Sequence, residues 1–74
     1  PGIDLLFIDS DHHAAHARKE WALYEPKLAN RAVVLVDDLR MYDLLDFWNE
    51  MTYEKAVTEI SPFGLGVMIY ERGK

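Results

Sequence analysis

IDLLFIDSDHH, residues 3 to 13, carries a nearly unbroken apolar run straight into a cluster of acids and imidazoles. Its β-branched and aromatic bias reads as a strand buried on both faces, the kind found inside parallel sheets. AVVLVDD, residues 32 to 38, has the same form and ends in Asp37 and Asp38. Between them lies HHAAHARKEWALYEPKLAN (12 to 30), in which Ala17, Trp21, Tyr24 and Leu28 recur at helical spacing. That pattern is an amphipathic helix, with Ser10 or Asp11 available as its N-cap. Pro26 should end it near Tyr24–Glu25, leaving Asn30 and Arg31 as the turn into the second strand.

A second helix pattern runs from about Met41 to Met51, with Leu44, Leu45, Phe47, Trp48 and Met51 on one broad face. EKAVTEI (54 to 60) alternates weakly, SPFG (61 to 64) supplies a turn, and LGVMIYER (65 to 72) is a third convincing strand. The last two segments are close enough in sequence to form an antiparallel hairpin. The order strand–helix–strand–helix–strand–strand is α/β, and its first two strands should be parallel with a right-handed crossover. Two helices cannot cover both faces of such a sheet. The apolar first strand also needs a neighbour on its far side, because a bare edge of that kind aggregates. Residues 1–74 are therefore expected to be part of a larger domain.

The composition bounds the partners. With 74 residues there is room for one small domain, half of it hydrophobic and 28% charged, which is globular rather than disordered. The absence of cysteine removes disulfides and thiolate metal sites and suits a reducing, cytoplasmic setting. No apolar run reaches membrane-spanning length, and no signal-peptide pattern occurs. The net charge is −5 and the eight basic residues are scattered, so neither nucleic acid nor an anionic membrane surface is an expected partner. An acid excess suits cation binding where the acids converge.

Convergence follows from the topology. Parallel strands end at one edge of a sheet, about 4.8 Å apart, and ligands of open α/β sheets bind at that edge. Asp9 and Asp11 at one tip should meet Asp37 and Asp38 at the other. Carboxylates so placed repel one another unless a cation sits among them, and oxygen-only ligation selects a hard divalent ion, Mg²⁺ first. The plainer alternative is that Asp11 caps the first helix and Asp38 the second. His12 and His16 share a helix face, but HHAAH lacks the glutamate of the zinc-protease motif. His13 and His16 read as solvent-facing. His12, close to the acid tip, is the candidate for a general base or a hydrogen-bond donor, with Asp11 its competitor. Trp21, Phe47 and Trp48 read as core or interface aromatics.

Taken together, DLLFIDSDHH, AVVLVDDL and LLDFW resemble the C-terminal half of class I S-adenosylmethionine-dependent methyltransferases. The likeness is to the metal-dependent sugar and small-molecule O-methyltransferases and their cephalosporin-hydroxylase relatives. FGLGVMIYER is similar to that family's final antiparallel strand, which inserts between its neighbours. The resemblance implies a Rossmann-like fold, S-adenosylmethionine as cofactor and a small hydroxylated molecule as substrate. It implies Asp9, Asp37 and Asp38 as ligands of a divalent metal, with Asp11 or His12 as catalytic base. The family's Gly-Gly turn is replaced by Asn30-Arg31, where asparagine can supply a left-handed turn. Its glycine-rich first strand–helix turn and its ribose-binding acid do not occur in these residues. The chain thus reads as a partial domain lacking the N-terminal cofactor-binding half, not expected to turn over alone. DSD also resembles the haloacid-dehalogenase phosphatases and VLVDDL the response-regulator receivers, but the residues each would need next are missing.

Two functions follow. One is a portion of a methyltransferase acting on a hydroxyl of a small molecule. The other is a non-catalytic half-domain that self-associates, or pairs with the missing half, through its first strand edge.

Overall fold

Alternation of side chains along each strand determines which side of the sheet can be covered. The computed structural model describes residues 2–9 and 13–73. In chain order it contains β1 (Ile3–Ile8), α1 (Ala14–Tyr24), a 3-10 turn (Glu25–Lys27), β2 (Leu28–Val36), α2 (Leu44–Glu50), β3 (Glu54–Thr58) and β4 (Leu65–Glu71). The strands make one sheet in the order β1-β2-β4-β3. β1 and β2 are parallel, while β4 runs antiparallel to both β2 and β3. The architecture is the α/β class indicated by the sequence, and β4 does insert between its neighbours.

Both helices lie on one face. Leu6 and Ile8 of β1, Ala32, Val34 and Val36 of β2, and Met68 and Tyr70 of β4 form a core with Ala14 and Ala17 of α1 and Leu44, Phe47 and Trp48 of α2. Trp21 of α1 packs edge-on against Tyr70, with ring centroids 5.8 Å apart. The other face carries Leu5 and Phe7, 59% and 52% exposed, beside half-buried Val33, Leu35, Val67 and Ile69. β1 is therefore buried on one face, not two, because no described element covers the second.

Three local expectations are corrected. Asn30 and Arg31 are not a turn but lie inside β2, where Arg31 pairs with Glu71 and the Arg72 N–H donates to the Asn30 carbonyl at 2.8 Å. The chain turns earlier because Pro26 sits in the first positions of the 3-10 turn, from which Leu28 leaves already extended. α2 begins at Leu44, with Asp43 as its N-cap residue, so Asp38 does not cap it. The N-cap residue of α1 is His13, whose side chain makes no cap bond, so neither Ser10 nor Asp11 fills that position; both lie outside the described residues.

Polar groups at the edge where β1 and β2 begin are consumed by the structure. The Tyr70 hydroxyl donates to Glu25, and Arg72 donates to the Leu28 carbonyl at 2.6 Å. Burial first, then the Glu25 carboxylate, pushes the Tyr70 phenol up to about 12, so it remains a neutral donor at physiological pH. Lys55 closes the end of α2 by donating to the carbonyls of Trp48, at 2.7 Å, and Met51.

Close approach of α2 to the sheet depends on Gly66. A Cβ there would meet Leu39 Cδ1 at 2.7 Å and Trp48 Cη2 at 2.8 Å. Neither buried side chain has room to retreat. Gly66→Ala should therefore cost about 1–3 kcal/mol by overpacking, read as a lower midpoint in urea denaturation. An unchanged midpoint would show that the indole does not rest on this glycine.

Candidate functional site

The parallel register Phe7↔Leu35 and Ile8↔Val36 carries the two strands to the same edge together. The ladder continues one step further, with the Asp37 N–H donating to the Ile8 carbonyl at 3.4 Å. Asp9, the next residue of β1's chain, is thereby set beside Asp37. Asp9 is exposed, whereas Asp37 and Asp38 are half-buried. Asp37 Oδ1 accepts the Asp38 N–H at 2.9 Å, which fixes the orientation of that carboxylate. Asp38 adopts a left-handed backbone, φ 56°, and turns the chain away from the sheet.

The loop after β2 is fastened at several points. Leu39 is fully buried; its N–H donates to the Gly64 carbonyl at 3.0 Å, and that of Arg40 donates to the Phe63 carbonyl at 2.9 Å. These bonds bring the β3–β4 turn to the same edge as the acids, where Arg40 also pairs with Glu59. Asp43 reaches back to the other loop. Its Oδ1 accepts the Ala14 N–H at 2.9 Å and lies 3.7 Å from His13 Nδ1. The first turn of α1 is thus capped by a residue 29 positions away. The His13 and Tyr42 rings lie 5.0 Å apart at the same point. Arg18 and Glu50 pair across the outer surfaces of α1 and α2.

Of the sequence-derived candidates, Asp9, Asp37 and Asp38 are brought to one edge, and Asp11 and His12 lie outside the described residues. Asp43 and Tyr42 were not legible as site residues. Nothing local marks an aspartate as the cap of a helix so far upstream, and tyrosine is not a residue that signals a left-handed turn. The carboxylate oxygens of Asp9, Asp37 and Asp38 are of the kind that a hard divalent ion takes. Among the described residues, however, no group of three or more acids or histidines converges closely enough to hold one. Asp9 and Asp37 with Asp38 supply at most part of a coordination shell. A shallow depression of about 150 Å³, lined by Glu54, Lys55, Ala56, Val67 and Ile69, lies away from the acid tips.

Residues 1–39 match the model of a protein family described as a methyltransferase domain. The match ends at Leu39, so it covers β1, α1, β2 and both acid-bearing tips, more than half of the chain. No curated protein matches the chain. The chain belongs to this methyltransferase-domain family. Its mixed sheet, with the parallel β1–β2 pair and helices on one face, is compatible with part of a Rossmann-like methyltransferase fold. Among the described residues no helix is long and apolar enough to cross a membrane.

The Ala14 N–H, followed by Asp43's own backbone amide and the His13 and Arg18 charges, holds the Asp43 carboxyl below its ordinary value of about 3.9. A depressed carboxylate stabilises the fold above its unfolded pKa, and that contribution is lost as pH falls through the folded value. The Ala14 amide resonance should therefore titrate in step with Asp43 below pH ~4. Asp43→Ala should speed Ala14 amide exchange at neutral pH, while Asp43→Asn, which keeps an acceptor oxygen, should preserve protection and abolish the acid titration. Unaltered Ala14 exchange in Asp43→Ala would show that the cap comes from elsewhere.

Proposed function

We propose that this chain forms the acceptor-side portion of an S-adenosylmethionine-dependent methyltransferase that methylates a hydroxyl group of a small molecule. The observation that carries the reading is the adjacency of Asp9 and Asp37 within the segment that matches the methyltransferase-domain family. Acids at the carboxyl edge of a parallel pair face the crevice in which α/β enzymes hold their ligands.

In this reading Asp37, its Oδ1 engaged by the Asp38 N–H, offers its remaining oxygen to orient the acceptor hydroxyl. Asp11 or His12 takes the hydroxyl proton as the oxygen forms a bond to the methyl carbon and the carbon–sulfur bond breaks. The electron pair of that bond leaves on sulfur, so the positive sulfonium becomes a neutral thioether and charge balances. S-adenosylmethionine supplies the electrophilic methyl group, and no residue of this chain is assigned to hold it. Asp9, Asp37 and Asp38 do not converge closely enough to hold a divalent ion between them, so no step is assigned to a metal.

The intact protein bearing this sequence should transfer a labelled methyl group from S-adenosylmethionine to catechols or sugars. Asp37→Asn should reduce the rate on the order of 100-fold, with circular dichroism unchanged. Equal rates for wild type and variant would remove the acids from the mechanism.

A second reading rests on the uncovered sheet face. Leu5 and Phe7 are more than half exposed on β1, a terminal strand of the sheet, and soluble proteins seldom leave contiguous apolar surface open. In this reading β1 and its bare face pair with another protein surface, a second copy included. Light scattering should then show concentration-dependent association that Phe7→Lys abolishes. A monodisperse monomer throughout the accessible concentration range would eliminate self-association.

A further inference from the structure

Among the described residues, two non-glycine residues have left-handed backbones, and both lie in the loop between β2 and α2: Asp38 at φ 56° and Tyr42 at φ 51°. Aspartate tolerates this region because its short side chain bonds locally. A bulky aromatic residue there is strained, and such strain persists only where the surroundings over-determine it, most often at functional sites. The surroundings of Tyr42 do so. The Met41 N–H donates to the Asp38 carbonyl at 3.0 Å, the Leu44 N–H to the Met41 carbonyl at 3.3 Å, and Asp43 is anchored on Ala14.

The strain does not serve the core. Tyr42 is 72% exposed. Its ring instead lies beside that of His13, with centroids 5.0 Å apart and planes tilted by 35°. His13 is itself placed by its position at the start of α1 and by Asp43. Two exposed rings, drawn from the loops that follow β1 and β2, therefore meet at the edge that bears Asp9 and Asp37.

We propose that Tyr42 is a specificity-determining residue for the acceptor, forming with His13 an aromatic platform that receives the flat face of a hydroxylated aromatic ring. This rests on the methyl-transfer reading above. Aromatic rings attract one another at centroid separations of roughly 4.5–7 Å through their quadrupoles, an interaction that a saturated polyol cannot match. The left-handed turn sets the direction of the Tyr42 Cα–Cβ bond, and the ring already lies beside that of His13, which limits the ordering cost of binding.

The test is a titration of the intact protein with catechol and with its saturated cyclohexanediol counterpart. Tyr42 and His13 ring resonances are followed by NMR in the wild type and in Tyr42→Phe, Tyr42→Leu and Tyr42→Gly. Catechol should shift both rings. Tyr42→Leu should weaken catechol binding roughly three- to tenfold and abolish the preference over the diol, and Tyr42→Phe should retain both. Tyr42→Gly should weaken binding likewise while raising the thermal midpoint, because glycine adopts this backbone without strain.

Wild-type catechol affinity in Tyr42→Leu overturns the proposal, as does a Tyr42→Gly midpoint no higher than wild type. Catechol binding at Tyr42 without methyl transfer to any acceptor leaves the platform standing and removes the methyl-transfer reading. Methyl transfer to catechol unaffected in Tyr42→Leu does the reverse.

Discussion

The parallel pairing of β1 with β2 is the constraint on which the rest depends. Side chains alternate along a strand, so the single register Ile8↔Val36 fixes two outcomes together. It places Leu6, Ile8, Val34 and Val36 under the helices, and it sets Asp9 and Asp37 side by side. A slip of one residue would drive Leu5 and Phe7 into the core face and turn the acids away from one another. The packing of the hydrophobic core and the assembly of the acid-bearing edge are therefore one event. No separate device is needed to bring residues 9 and 37 together.

The two edges of the sheet use their polar residues differently. Where β1 and β2 begin, Glu25, Tyr70 and Arg72 satisfy one another and the Leu28 carbonyl. These groups stabilise the 3-10 turn and have little capacity left for a ligand. Where β1 and β2 end, polar groups serve mainly to fasten loops. Asp43 caps α1, Asp37 receives the Asp38 amide, and the backbone of Leu39 and Arg40 grips the β3–β4 turn. Loops normally carry function at some loss of rigidity. Here the loop between β2 and α2 is bonded to the start of α1 and to the hairpin, which gives its backbone a fixed path.

Periodicity made much of this legible in the sequence. The apolar runs of residues 3–8 and 32–36, the helical spacing of Ala17, Trp21 and Tyr24, and the turn residues Pro62 and Gly64 sufficed for element order and for the parallel edge with its acids. What escaped is tertiary in origin. Apolar character at Leu5 and Phe7 marks a face fit to be covered but does not say by what, and no described element covers it. Asn30-Arg31 has turn chemistry, but Pro26 had already turned the chain and β4 held both residues in the ladder. Ser10 and Asp11 are natural helix caps by type. The N-cap position went to His13, and the Ala14 amide is bonded by a distant carboxylate, that of Asp43.

That substitution links the two halves of the site. A helix capped from its own loop would be indifferent to the position of the β2–α2 loop. Capped by Asp43, α1 begins where the second loop allows, and the second loop is fixed in turn by Leu39 in the core and by the carbonyl of Gly64. Gly64 itself has φ +87°, and a Cβ there would press within 2.8 Å of Arg40 Nη1. Gly66, two residues on, admits Trp48 and Leu39 to the sheet. Two glycines of the hairpin thus hold the β2–α2 loop down, that loop carries Tyr42 and Asp43, and Asp43 sets the start of α1. The edge that bears Asp9 and Asp37 is positioned from the C-terminal strand as much as from the two strands that supply its acids. Residues beyond the family match are thus structurally inseparable from those within it.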